Sequence, residues 1–238
     1  SIEIAPSHIE SLINLSTIFL EQNNTQEALN VINQVFLFQP ENAINLNNKG
    51  ICLGKLGRPI DSLDCHVKAH KLSPSNVDLT YNYGNALANL KKFPDAIAAY
   101  QDAFKIDPKY PLLIGNLFFS KLQICDWSNY ETLKTTILTG VENNLPVIYP
   151  FSLLSITDSE DLHLKVAKSF SDKYFPERPI SLPITHKQKN RIRIGYFSAD
   201  LHNHPVAQLI SRVFELHSRS LFEIYAFSYG PPRNDEYS

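Results

Sequence analysis

Histidines and asparagines are the residues of this chain whose type and spacing bear on chemistry. His204 closes a short polar stretch, Asp200–His204. Before it come the β-branched and aromatic residues Ile192, Ile194, Tyr196 and Phe197. After it, Leu209, Ile210, Val213, Phe214 and Leu216 recur at helical spacing. A loop histidine at the head of a helix can serve as a general base, or donate to an anion held at the helix N-terminus. It can equally be a helix cap or a surface residue. Asn14, Asn48, Asn82 and Asn116 recur every 34 residues. An amide offers both a donor and an acceptor, so such a row can hold the backbone of an extended peptide without reading its sequence. Asparagine is also a common packing or solvated residue of helical repeats.

Other constellations carry less. His202 and His204 form an H-x-H pair with no third ligand nearby, so no metal is expected. His66 and His70 have zinc-helix spacing, but Val67 occupies the place of the protease glutamate. No glycine-rich phosphate loop follows Arg191–Ser198, and no Gly-x-Ser-x-Gly or Cys/His nucleophile pattern is present. No cofactor is implied by these residues.

The elements that position these residues are visible as periods. Gly50 and Gly84, Leu53 and Leu87, Ala69 and Ala103, and Leu72 and Ile106 are each 34 apart, and Pro40, Pro74 and Pro108 keep the same spacing. The units are 9–42, 43–76 and 77–110, each two amphipathic helices and a Pro-marked turn, with a half unit at 111–124. Small residues (Ser16, Gly50, Gly84, Ala28, Ser62, Ala96) sit where helices must approach closely. The pattern resembles the tetratricopeptide repeat, whose first helices line the concave face of a solenoid. Ile4 and Pro6 repeat the register of Phe38 and Pro40. With Ser1 first and no Met anywhere, the natural protein is expected to continue upstream.

The repeat breaks at Cys125–Asp126–Trp127. Helices are expected over Ser128–Asn144 and Ser159–Phe175, with Leu145–Phe151 an extended crossing between them. Trp127 is expected to pack at the boundary, and Pro176–Asn190 reads as a linker. Arg191–Ser198 and Ser220–Tyr229 read as strands around a helix capped by Asn203 or His204, with Pro205 in its first turn. That is one βαβ unit, whose ligands would lie beyond the strand ends, at loop 199–204. The expected fold is mainly α: a repeat solenoid over 1–125, a helical connector and linker over 126–190, and the beginning of a Rossmann-like α/β lobe over 191–238.

Composition narrows the classes further. Hydrophobic residues make up 43% and charged residues 19%, which places the chain among globular proteins. The net charge of −2 divides evenly, with 10 basic and 11 acidic residues before Asp126 and 12 and 13 from there on. Neither part has the basic excess that nucleic-acid binding needs. No apolar run approaches a membrane span, and the first residues lack signal-peptide character. Cys52, Cys65 and Cys125 lack disulfide or zinc spacing and read as buried free thiols of a reducing, cytoplasmic compartment.

Taken with the repeats, the segments CDWSNY at 125–130, NNLPVIYPFSLLSI at 143–156, RIRIGYFSADLHNHPVAQL at 191–209 and FEIYAFSYGP at 222–231 resemble the O-linked N-acetylglucosamine transferases. The resemblance implies a two-lobed glycosyltransferase of GT-B type, using UDP-N-acetylglucosamine and no metal to modify Ser and Thr of proteins. It implies that Asn14, Asn48, Asn82 and Asn116 hold the acceptor in the repeat groove, and that His204 lies at the active site. His202 departs from the family's glycine, and Gln208 replaces a second family histidine. Two strands cannot bury both faces of a parallel sheet. Residues 191–238 are therefore expected to be an incomplete lobe, partnered by the remainder of the catalytic region and inactive alone. A non-catalytic peptide-binding adaptor, or a nucleotide-sugar transferase acting on another acceptor such as Asn, are the alternatives.

Overall fold

The computed structural model describes residues 6–39, 42–176 and 190–229. Ile4, Pro40, linker residues 177–189 and residues 230–238 lie outside the described residues. The chain divides into two compact units, Ser1–Arg178 and Pro179–Ser238.

In the first unit, paired helices follow the period: α1 (Pro6–Glu21) with α2 (Thr25–Phe36), α3 (Ala43–Lys55) with α4 (Pro59–Leu72), and α5 (Val77–Asn89) with α6 (Phe93–Ile106). Local chemistry sets their ends. The Asn42 side chain accepts from the Ile44 and Asn45 amides at 2.9 and 3.1 Å, and that of Asn76 from the Leu79 amide at 3.2 Å. Asparagine caps of this kind satisfy amides that have no partner within the helix. Proline occupies the first positions of α4 and α6, where its missing amide costs nothing. Left-handed residues then turn the chain between partners, Gly57 at φ 75° and Lys91 at φ 59°.

The small residues occupy the closest approaches. Ala28, Ala69, Ala96 and Ala103 are fully buried. A Cβ on Gly50 would lie 2.6 Å from Nε2 of His66, and one on Gly84 would lie 2.6 Å from Cε1 of Tyr100. The second helix of the second and third pairs thus lays a ring on the glycine of the first. Ser62 Oγ also donates to the Gly50 carbonyl at 2.7 Å.

The connector belongs to this same compact unit. It comprises α8 (Tyr130–Glu142), α9 (Pro150–Leu153) and α10 (Glu160–Tyr174), and it packs on α7 (Leu113–Gln123), the helix of the half unit. Ile114, Phe118, Ile137, Val141, Ile148 and Leu153 bury one shared core. The crossing is extended as far as Tyr149, but Pro150–Leu153 forms a helical turn, because proline suits a first helical position. The crossing lies on α7 through backbone bonds from Leu112 N to Pro146 O (2.7 Å) and Gly115 N to Val147 O (3.0 Å). Two expectations are corrected. Trp127 does not fill the boundary: it is 61% exposed, edge-on to Tyr130 with ring centres 5.5 Å apart. Lys121 does so instead, its side chain only 7% exposed and its ammonium bonded to Asp126 and, at 2.7 Å, to Ser128 Oγ. Of the thiols, only Cys52 is buried, while Cys125 is exposed in a left-handed turn at φ 55°.

The second unit is the βαβ. β1 (Ile192–Ser198) pairs in parallel with β2 (Phe222–Ser228), in register from Ile192↔Phe222 to Ser198↔Ser228, and α11 (Pro205–Leu216) joins them. Tyr196 packs edge-on to Phe214 of α11, and its hydroxyl meets His217 Nε2 at 2.6 Å. Residues of the opposite strand parity carry an Arg193–Glu223 ion pair at 3.1 Å and stacked Phe197 and Phe227 rings, which are 69% and 46% exposed.

Gly84→Ala should therefore destabilise the repeats by about 1–3 kcal/mol in denaturant unfolding, since Tyr100 must leave its place. His66 generates a pH effect. Burial holds its imidazole down at about 4, against an ordinary 6.5, so the unfolded chain takes up the proton first. Stability should be unaffected above 6.5 and should fall as pH drops from there toward 4, by up to about 1.4 kcal/mol per pH unit. Unfolding curves of His66→Tyr, which carries the residue type found at position 100, should lack that slope.

Candidate functional site

The loop after β1 is fixed at its start, where Ser198 Oγ accepts from the Asp200 amide at 3.0 Å. Leu201 turns inward and is 9% exposed, anchoring the loop. His204 is the N-cap of α11, with extended backbone, and its Nδ1 accepts from the Val206 amide at 3.3 Å. A neutral imidazole that accepts at Nδ1 carries its proton on Nε2. The ring is half-buried and offers Nε2–H as a donor, beside the α11 amides that have no helical partner. Such a set suits an anionic or oxygen-rich group. A base at Nε2 would have to exchange tautomer and give up the cap. His202 lies edge-on to His204 with ring centres 5.5 Å apart, and its Nδ1 is buried without a partner. Among the described residues, no group of three or more His, Cys, Asp or Glu is placed to hold a metal.

The four asparagines of the row all lie on first helices: Asn14 on α1, Asn48 on α3, Asn82 on α5 and Asn116 on α7. Asn14 is exposed and the other three are half-buried. Their surroundings differ. Asn82 Nδ2 donates to Asn47 Oδ1 at 3.0 Å. Asn116 Nδ2 donates to the Tyr81 hydroxyl at 2.9 Å and to Asn85 Oδ1 at 3.1 Å. Each of these reaches back 35 residues, to Asn47 and Tyr81; the corresponding position for Asn48 is Ile13, whose side chain has no acceptor.

Two cavities flank α5. One, of about 300 Å³, is lined by Gly50, Ser62, His66, Asn82 and Asn89. The other, of about 600 Å³, is lined by Asn85, Lys91, Asn116, Phe119, Ser120 and Tyr149. Burial pushes the Tyr81 and Tyr100 hydroxyls far above the ordinary phenol value, so both remain protonated. Tyr100 donates to Asn85 Oδ1 at 2.8 Å. Tyr149 of the connector forms part of the wall of the second cavity, and burial raises its hydroxyl above the ordinary phenol value. Sequence reading missed Asn47, Tyr81, Asn85, Tyr100 and Tyr149. The signals available were the period between Asn47 and Tyr81, and the helical spacing of Asn82, Asn85 and Asn89 along α5.

Both parts of the chain are similar to known proteins. Residues 124–238 match glycosyl transferase family 41, and residues 77–110 match the tetratricopeptide repeat. A Caenorhabditis elegans UDP-N-acetylglucosamine–peptide N-acetylglucosaminyltransferase is 25% identical over 120 residues, covering 44% of this chain and 10% of that protein. A human protein O-mannosyl-transferase is 27% identical over 115 residues, covering 48% of this chain and 13% of that protein. The solved structure of a Thermobaculum terrenum O-GlcNAc transferase mutant is 20% identical, with a TM-score of 0.47, covering 96% of this chain and 38% of that one. The aligned stretch thus spans about a tenth of the curated relatives' length.

The cap at His204 can be tested separately from any activity. His204→Ala should loosen the first turn of α11, raising hydrogen exchange at the Val206 amide as about 1 kcal/mol of capping is lost. His204→Asn, which restores an accepting side chain, should keep that amide protected.

Proposed function

Because this chain joins tetratricopeptide repeats to a segment of glycosyl transferase family 41 type, we propose that it is part of a protein O-glycosyltransferase. On this reading N-acetylglucosamine passes from UDP-N-acetylglucosamine to Ser or Thr of an acceptor guided by the repeats. The observation that carries it is the family likeness over 124–238, the stretch in which His204 caps α11 beyond the end of β1. The donor Nε2–H of His204 and the α11 amides then face an oxygen-rich group of the reaction, the donor phosphates or the acceptor hydroxyl. His204 thereby positions and polarises that group, with its tautomer set by the cap. Asn14, Asn48, Asn82 and Asn116 hold acceptor backbone, and the cavities beside α5 receive its side chains. No helix among the described residues is long and apolar enough to cross a membrane.

The longer protein that contains this chain, incubated with UDP-N-acetylglucosamine and protein acceptors, should transfer the sugar to Ser or Thr. His204→Ala should lower its kcat/KM by about 10² or more, the scale of losing an acid–base or positioning group. Near-normal turnover in a stably folded variant would remove His204 from the site. Replacing Asn48, Asn82 and Asn116 together with Ala should weaken modification of long acceptors more than of short peptides. The 1–238 chain alone should neither bind UDP tightly in calorimetric titration nor catalyse transfer, since residues 191–238 hold no glycine loop or basic cluster for a diphosphate.

A further inference from the structure

The asparagine row is not uniform. An Asn side chain has two amide hydrogens and one carbonyl oxygen. Asn48 is half-buried and makes no side-chain hydrogen bond to another described residue, so all three groups are uncommitted within the protein. Asn82 commits one hydrogen to Asn47. Asn116 commits both, one to Tyr81 and one to Asn85. Asn85 Oδ1 accepts from the Tyr100 hydroxyl as well, so Asn116 Nδ2 and Tyr100 share that acceptor.

We infer that Asn116 presents only its carbonyl oxygen to the groove, held so by Tyr81 and Asn85, and therefore accepts a backbone N–H of a bound polypeptide while making no bond to its carbonyls. The inference rests on the reading of the row as a backbone-binding surface and adds a position-specific chemistry to it. Two open hydrogens at Asn48 and one at Asn82 allow those rungs to bind both groups of a peptide unit. At Asn116 the ligand must supply the hydrogen. A proline at that register, which has no N–H, leaves the oxygen unmatched beside the larger cavity. Tyr81 and Asn85 are thus positioning residues that determine which backbone can lie there.

Aspartate has the shape of asparagine and keeps an acceptor, but it has no amide hydrogens. Binding of a long, uncharged, fluorescein-labelled peptide of Ser, Thr and Ala by the full chain distinguishes the rungs. Asn116→Asp should retain affinity within about threefold, because the oxygen that meets the ligand is kept, while on the inner side the Tyr81 hydroxyl can rotate and the Asn85 amide can turn to donate to the new oxygen. Asn116→Ala and Asn48→Asp should each lose up to about tenfold, the scale of one hydrogen bond lost. A loss in Asn116→Asp as large as in Asn116→Ala would overturn the inference. No loss in Asn116→Ala would instead sink the backbone-binding reading of the row. Side-chain amide exchange in the unaltered protein provides a second measurement that needs no variant to fold. Both Asn116 hydrogens should be protected and both Asn48 hydrogens should exchange freely. Rapid exchange at Asn116 would show that its hydrogens are not committed.

Discussion

The closest approach between paired helices is the constraint on which the first unit depends. Glycine inside a helix is destabilising by about 1 kcal/mol relative to alanine. This chain accepts that at Gly50 and Gly84 because the rings of His66 and Tyr100 lie where a side chain would be. Gly115 repeats the device with different contents. There the backbone of Val147 and Ile148 occupies the space, so the connector can hydrogen-bond directly to the start of α7. The same close contact that joins two helices of a repeat thus also joins the last half repeat to the connector. This arrangement brings Tyr149 to the wall of the groove. It also explains why the connector and the repeats share a single compact unit.

Much of this fold was legible in the sequence, for a physical reason. A repeated unit can bury its apolar face only against its neighbours, so the same small and large residues return at the same spacing. Ala69 and Ala103 return in this way, and both are buried. The βαβ was equally legible, because strand and helix periods differ and Pro205 marks the helix start. The errors lie where one residue's role depends on three-dimensional context. Trp127 looked like a buried anchor because of its size, yet the buried place went to Lys121. A lysine is a poor candidate on composition, and it enters only because Asp126 and Ser128 satisfy its ammonium. Likewise Cys65 and Cys125 differ from Cys52 only in what surrounds them.

At the candidate site, sequence spacing located His204 and the asparagines but not their hydrogen-bonding states. Helix periodicity puts Asn48, Asn82 and Asn116 in equivalent places. Their donors differ because the residue 35 positions earlier is Ile13, Asn47 or Tyr81 in turn. A period in one residue type conceals variation in the residues that meet it. For His204, the polar loop and the following proline pointed to a helix start. The choice of tautomer appeared only once Nδ1 was found on the Val206 amide.

The exposed Trp127 has a spectroscopic consequence. It is the only tryptophan in the sequence, and it sits where the last half repeat turns into the connector. Its indole is largely in water, edge-on to Tyr130, whose ring in turn lies 5.3 Å from the buried Phe118. Emission from this one fluorophore is therefore a local optical probe of the junction. Its wavelength starts near that of a solvated indole and has little room to shift on unfolding. Intensity and anisotropy, which follow the nearby ring and the freedom of the turn, are the quantities through which the junction makes itself visible.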